Sequence, residues 1–394
     1  MSLKTVLAGL IPPRTAVRFD RNELSGAFGD IGTDLPLIVL MIATAKIDPA
    51  GALIVFGSCQ VFSAIFYGIP MPVQPLKAVA VLTILAGGEI DGPVIWGAGL
   101  AIGAVMLLLT VTGLIDLLAR IIPRAVIRGI QFGLGAKLAI MALSDHIPRD
   151  GTAGYFLAAA CALIIICLLG NRRFPPALLV IALGAVYAVV FRLEPGFLAS
   201  SFGFSLPQVQ APSWGNIWQG FLILALPQIP LSLGNSIFAT RQLAEDYFPG
   251  KRISARQIGL TYSLINLVAP FFGGIPACHG SGGMAGHHAF GGRTGGSAII
   301  YGSLFLGLGL FFSGGFQEVI KIFPYPMLGT ILLFEALALM RLVGDTVDRR
   351  GQFSIALLVG VLAVGLPYGF LIGMIVGTLV YYASLKIDLG LTRD

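Results

Sequence analysis

The stretch "GGIPACHGSGGMAGHHAFGGRTGG", Gly273 to Gly296, holds three of the chain's four histidines and lies between long apolar runs. A short helix is expected over about 281–290, with Gly280, Gly282 and Gly283 leaving backbone N–H groups uncovered at its start. Free N–H groups and the positive end of a helix dipole favour an anion. Ser281 adds a hydroxyl there, and His279 a ring able to donate to a ligand or to titrate. A metal reading fails on spacing. His279, His287 and His288 do not stand at zinc-site intervals from Cys278, and adjacent helical residues point about 100° apart.

A second stretch repeats the plan. In "GIPMPVQPLKAVAVL", Gly68 to Leu82, three prolines keep the chain extended, and a short helix is expected over about 75–86. Pro75 suits a first turn because its missing N–H would have no helical partner. Lys77 brings a full charge to the same helix end, and Gln74 both donor and acceptor atoms. A lysine in apolar surroundings needs a partner: a bound anion, or a carboxylate in a structural ion pair such as Asp30 or Asp34.

Two further segments supply polar groups inside apolar runs. "ELSGAFGDIGTDLPLIVL" (Glu23–Leu40) places Asp30 and Asp34 four apart, on one helix face, with Gly32 and Pro36 suggesting a kink. "LPQIPLSLGNSIFATRQLAED" (Leu226–Asp246) carries Gln228, Gly234, Asn235 and Ser236. Glu335 is a fifth candidate, as a proton carrier or a helix partner. An ionisable residue within a membrane span is a functional hypothesis by default. For Asp30 the alternative is capping or packing of an irregular first turn.

These residues sit in a chain built for lipid. Of 394 residues, 11% are charged and 56% belong to the AVILMFWYC set, against about 25% charge in soluble domains; the mean hydropathy is +0.89. Many apolar runs reach the length needed to cross about 30 Å of hydrocarbon. No cleavable signal peptide is apparent, and the four cysteines form no metal or disulfide framework. A net charge of +6 has no basic domain to carry it, which argues against nucleic acid. Phosphate-loop and dinucleotide motifs are absent despite 52 glycines, and no nucleophile–base pair suggests an enzyme. No cofactor is implied.

Fourteen segments are expected, at about 24–45, 50–68, 75–86, 94–118, 125–143, 153–169, 175–192, 217–240, 255–272, 281–290, 295–313, 321–341, 352–366 and 368–385. With a cytoplasmic N-terminus, nineteen of the 25 basic residues fall on the cytoplasmic side, from Lys4 and Arg14 through Arg172, Arg173, Arg241 and Arg252 to Lys386 and Arg393. That bias supports the orientation, with both termini cytoplasmic and residues 1–23 a cytoplasmic segment. It also fits a plasma (inner) membrane location.

Pro123 matches Pro324 at an offset of 201, and the same offset pairs Pro75 with Pro276 and Asp34 with Asn235. Seven spans per half is odd, so the halves, 24–193 and 216–385, enter the membrane in opposite senses. The expected fold is an all-α polytopic membrane protein with a 7+7 inverted repeat and two short half-helices. Such repeats are a transporter architecture with the site near the midplane at interrupted helices.

"FGDIGTDLP" (28–36) together with "PACHGSGGMAGHHAFGGRTGG" (276–296) closely resembles the molybdate transporter family, which belongs with the sulfate permeases; "PMPVQPLKAVA" (70–80) and "GNSIFAT" (234–240) fit it too. The likeness covers almost the whole chain. It implies the fold of the uracil permease and sulfate permease group, in which the first, third, eighth and tenth spans surround substrate and a core moves against a gate. The core would be 24–118 and 217–313, the gate 119–193 and 320–385, with a homodimer through the gate. Asp30, Gly32, Thr33 and Asp34 in the first motif, and His279, Gly280, Ser281, Gly282 and Gly283 in the second, carry over as site residues. Unlike the larger sulfate permeases, the sequence stops at Asp394, just past the last span, so no C-terminal regulatory domain is expected.

The resemblance favours molybdate as substrate, with sulfate or another oxyanion as the alternative. A nucleobase permease would want a carboxylate where Asn235 stands, and an anion channel would lack a saturable cycle. Coupling to protons or another cation is open, with Asp30, Asp34, His279 and Glu335 as the titratable candidates.

Overall fold

Side-chain caps set several of the helix starts. Asp20 accepts the N–H groups of Asn22 and Glu23, and from there helix α1 (Arg21–Ala45) runs on. These backbone hydrogen bonds hold the Asp20 carboxyl below its ordinary value. Asp48 accepts from Ala50 and Gly51, with Pro49 in the first turn, and opens α2 (Pro49–Tyr67). The computed structural model describes residues 17–385 apart from 170, 172, 173, 175 and 195. Lys4, Arg14, Arg172, Arg173, Lys386, Arg393 and most of segment 1–23 lie outside the described residues.

Gly68, in the left-handed region at φ 65°, ends α2. Extended chain then leads to β1 (Gln74–Pro75) and the short helix α3 (Lys77–Leu85). Asp91 caps α4 (Gly92–Val111). Next come α5 (Arg124–Met141), α6 (Gly151–Leu168) and α7 (Pro176–Phe191). The second half runs through α8 (Trp214–Tyr247), α9 (Ala255–Val268), β2 (Ala277–Cys278) and the short α10 (Ser281–Ala289). It ends with α11 (Gly295–Phe312), α12 (Tyr325–Met340), α13 (Arg350–Gly365) and α14 (Gly369–Ser384).

Seven helical stretches among the described residues are long and apolar enough to cross a membrane, and α7, α13 and α14 are shorter apolar helices. The expected fourteen segments are therefore not matched one for one. Segments 125–143 and 153–169 join into one helical stretch, Arg124–Leu168, through wider and tighter turns at Ala142–His146 and Ile147–Asp150. Segment 94–118 divides at Gly113, whose φ of 77° starts a separate helix, Leu114–Ile121. In α1 the irregularity falls at a tight turn over Phe28–Asp30, while Pro36 sits inside continuing helix. Wide turns at Phe221–Ala225 and Ser232–Ala239 within α8 were not expected.

Glycines let the helices meet backbone to backbone. Across α2 and α11, a Cβ on Gly57 would sit 2.5 Å from the carbonyl oxygen of Gly302, and one on Gly302 2.7 Å from that of Gly57. Gly129 of α5 likewise meets the Ala356 carbonyl of α13, while Gly133 meets the Ala363 methyl group. At the first turn of α11, buried Glu23 accepts the N–H groups of Arg293, Thr294 and Ser297 at 2.9–3.0 Å. The offset pairs from the sequence occupy like positions: Pro123 and Pro324 are the residues before α5 and α12, and Asp34 and Asn235 lie inside α1 and α8.

Candidate functional site

The chain before each short helix is pinned on both sides. β1 and β2 pair antiparallel, Gln74 opposite Cys278 and Pro75 opposite Ala277, and Leu76 donates to the Pro276 carbonyl at 3.0 Å. Because the strands are antiparallel, α3 and α10 leave the pair in opposite directions. From α2, Gln60 accepts the Val73 N–H and Ser63 donates to the Met71 carbonyl. From α9, the Asn266 amide both donates to the Ala277 carbonyl and accepts its N–H. Every extended backbone group named here has a protein partner, as buried chain requires.

The start of α10 is closely packed by acceptor oxygens. A Cβ on Gly280 would collide with Gln74 Oε1, one on Gly283 with Asp30 Oδ2, and one on Gly282 would lie 2.6 Å from Glu335 Oε1. Those three oxygens are buried and make no hydrogen bond of their own. Their companions are engaged: Gln74 Nε2 donates to Asp30 Oδ1 at 2.6 Å, and Thr33 donates to Glu335 Oε2 at 2.9 Å. Neither short helix has a side-chain cap from its own N-cap residue, Leu76 or Gly280. At α3, Gln228 reaches across from α8 and accepts the Ala78 N–H at 2.8 Å.

The Lys77 ammonium, at the first residue of α3, is buried without a hydrogen-bond partner, and among the described residues no carboxylate lies within ion-pair distance. Asp34 accepts from the Tyr301 hydroxyl at 3.3 Å through one oxygen, and the other is buried and unpaired. Asn235 accepts from Ser281 at 2.8 Å, tying α8 to α10, and Ser236 is buried beside it.

His279 is placed differently from the expectation of a ligand-facing donor. Its Nδ1 lies 2.9 Å from the Pro72 carbonyl and its Nε2 2.8 Å from the Thr261 hydroxyl, which is 2.7 Å from the Tyr67 hydroxyl. A carbonyl only accepts, so Nδ1 carries a proton. The ring braces α9 and α2 against the chain before α3. His287 is buried against Tyr301, and His288 stacks on Tyr247 at 3.9 Å. Gln228 was visible in the sequence without a role. Tyr301, Thr261, Asn266 and Gln60 were missed, and their one signal is a polar side chain inside an apolar span.

The structure thus gathers residues of α1, α3, α8, α10 and α12 around two half-helix starts. This is the organisation of a polytopic membrane transporter. The fold is similar to the transmembrane domain of the bicarbonate transporter BicA from a cyanobacterium, with a TM-score of 0.60 at 18% identity over 94% of this chain and 99% of that one. It is also similar to the murine solute carrier 26 family member A9 anion transporter in its inward-facing state, with a TM-score of 0.60 at 13% identity over 98% and 72%.

The sequence model described as "Molybdate transporter of MFS superfamily" matches residues 22–138 and 220–339. The chain is 33% identical to molybdate transporter 1 of Arabidopsis thaliana, over 91% of this chain and 87% of that protein. The chain belongs to the molybdate transporter family.

Proposed function

We propose that this chain carries molybdate across the membrane, with the oxyanion held between the starts of α3 and α10 and moved by alternating access. Family membership supports the substrate. The buried, unpartnered Lys77 ammonium at a helix start is the observation that carries the site: it is a positive charge at the positive end of a helix dipole. Ser236, whose buried hydroxyl has no hydrogen-bond partner, and the N-terminal turn of α10 complete the donors. Asp34, Gln74, Asn235, His279, Gly280, Ser281, Gly282 and Gly283 shape the space.

Three carboxylates, Asp30, Asp34 and Glu335, share this region with one ammonium. Like charges about 4 Å apart repel by about 4 kcal/mol at an effective dielectric of 20. A dianion therefore enters most readily when carboxylates carry protons. Import of a dianion against a negative-inside potential costs about 4.6 kcal/mol per 100 mV. Protons that travel with it offset that charge, which makes the protein a proton-coupled secondary transporter in this reading. The core, 24–118 and 217–313, slides against the gate, 119–193 and 320–385, with Glu335 on the gate side. Inverted halves 24–193 and 216–385, cytoplasmic termini, an inner-membrane location and a homodimer through the gate belong to the same reading.

The test is uptake of molybdate into proteoliposomes holding purified protein, with sulfate as competitor. Saturable uptake that excess sulfate scarcely slows supports the reading. Equal displacement by sulfate makes the protein a general oxyanion carrier.

A further inference from the structure

A second cation-lined site lies away from the half-helices. A cleft of about 610 Å³ opens between helix Leu114–Ile121, the end of α8 and the turn into α9. Its walls carry four cations, Arg120, Arg241, Lys251 and Arg252, against two acids, Asp116 and Glu245. Among the described residues no ion pair joins Arg120, Arg241 or Arg252 to either acid. Burial holds the Lys251 ammonium below the ordinary lysine value, so a neighbouring anion would favour its charged form.

The wall helix has three faces. Ile115 is buried and anchors it. Asp116 and Arg120, four apart, face the cleft. Leu114, Leu117 and Ile121 are 45%, 52% and 41% exposed. An exposed apolar stripe next to a polar one is the pattern of a helix lying in the membrane interface. Its last turn is tied to α14, where the Tyr382 hydroxyl donates to the Ile121 carbonyl at 3.0 Å.

We propose that this cleft binds the phosphate headgroup of an anionic phospholipid, whose acyl chains lie along Leu114, Leu117 and Ile121. The volume suits a small headgroup, and basic pockets at the cytoplasmic ends of spans hold anionic headgroups. The coincidence of a cation-lined cleft with an apolar stripe on the same helix selects a lipid over a free phosphate. The inference stands apart from the substrate reading, because none of these residues belongs to the half-helix site.

The experiment uses the full chain purified in detergent and delipidated. Its thermal unfolding midpoint is followed on adding phosphatidylglycerol, phosphatidylcholine or inorganic phosphate, and retained lipid is read by native mass spectrometry. Phosphatidylglycerol should raise the midpoint and stay bound, and phosphatidylcholine should not. The Arg241→Gln/Arg252→Gln protein should bind phosphatidylglycerol about thirtyfold more weakly. If that protein does not fold, Arg120→Gln, at an exposed side chain, tests the same wall. Equal effects of the two lipids, or an unchanged response in the folded variants, would overturn the proposal. So would inorganic phosphate giving the whole shift with no further gain from phosphatidylglycerol.

Discussion

Thr33 of α1 donates to Glu335 of α12 at 2.9 Å, across the boundary between the proposed core and gate. The other Glu335 oxygen is buried against Gly282 with no partner. In the proposed sliding of core against gate, the bond between Glu335 and Thr33 is one that would break.

The pH dependence follows from that contact. If protonated carboxylates admit the dianion, as proposed, molybdate uptake should rise as external pH falls from neutral and decline as it rises. Glu335→Gln mimics the protonated form. It should keep transport and flatten the pH profile of the initial rate. A variant with an unaltered profile would remove Glu335 from coupling.

The glycines at α10 are a steric requirement. Gly283→Ala places a methyl against Asp30, and Gly280→Ala against Gln74. Overpacking of this kind costs about 1–3 kcal/mol, and each should cut uptake more than about tenfold. Gly307→Ala, where a Cβ meets nothing within 4 Å, should leave uptake and stability unchanged. Uptake by all three variants is compared at equal amounts of reconstituted protein.

Glu23 is a structural acid. Glu23→Ala strips acceptors from three N–H groups around the start of α11 and should cost about 1–3 kcal/mol. A lower unfolding midpoint, with molybdate affinity retained in the folded fraction, is the expected outcome.

The half-helices were legible because Pro75, Lys77 and Gly280 to Gly283 speak locally: prolines hold chain extended and glycines uncover N–H groups. The two starts fell at Lys77 and Ser281, within the expected ranges. The roles of side chains were less legible, because they depend on partners distant in sequence. The sequence offers His279 as a donor to substrate or a titrating group, and its ring nitrogens lie against Pro72 and Thr261, 207 and 18 residues away. Gln228 caps Ala78 from 150 residues away. The wide turns of α8 flank Pro227 and Pro230, whose missing N–H groups break the helical ladder there, so this signal was present in the sequence.

In the proposed site, Lys77 and the two half-helix starts bind the oxyanion. Equilibrium binding of molybdate to purified wild-type and Lys77→Met protein, with sulfate as competitor, tests it most directly. A charge-assisted hydrogen bond is worth about 1.5–3 kcal/mol, so at least about tenfold weaker binding is expected in a folded variant. Undiminished affinity in Lys77→Met would contradict it.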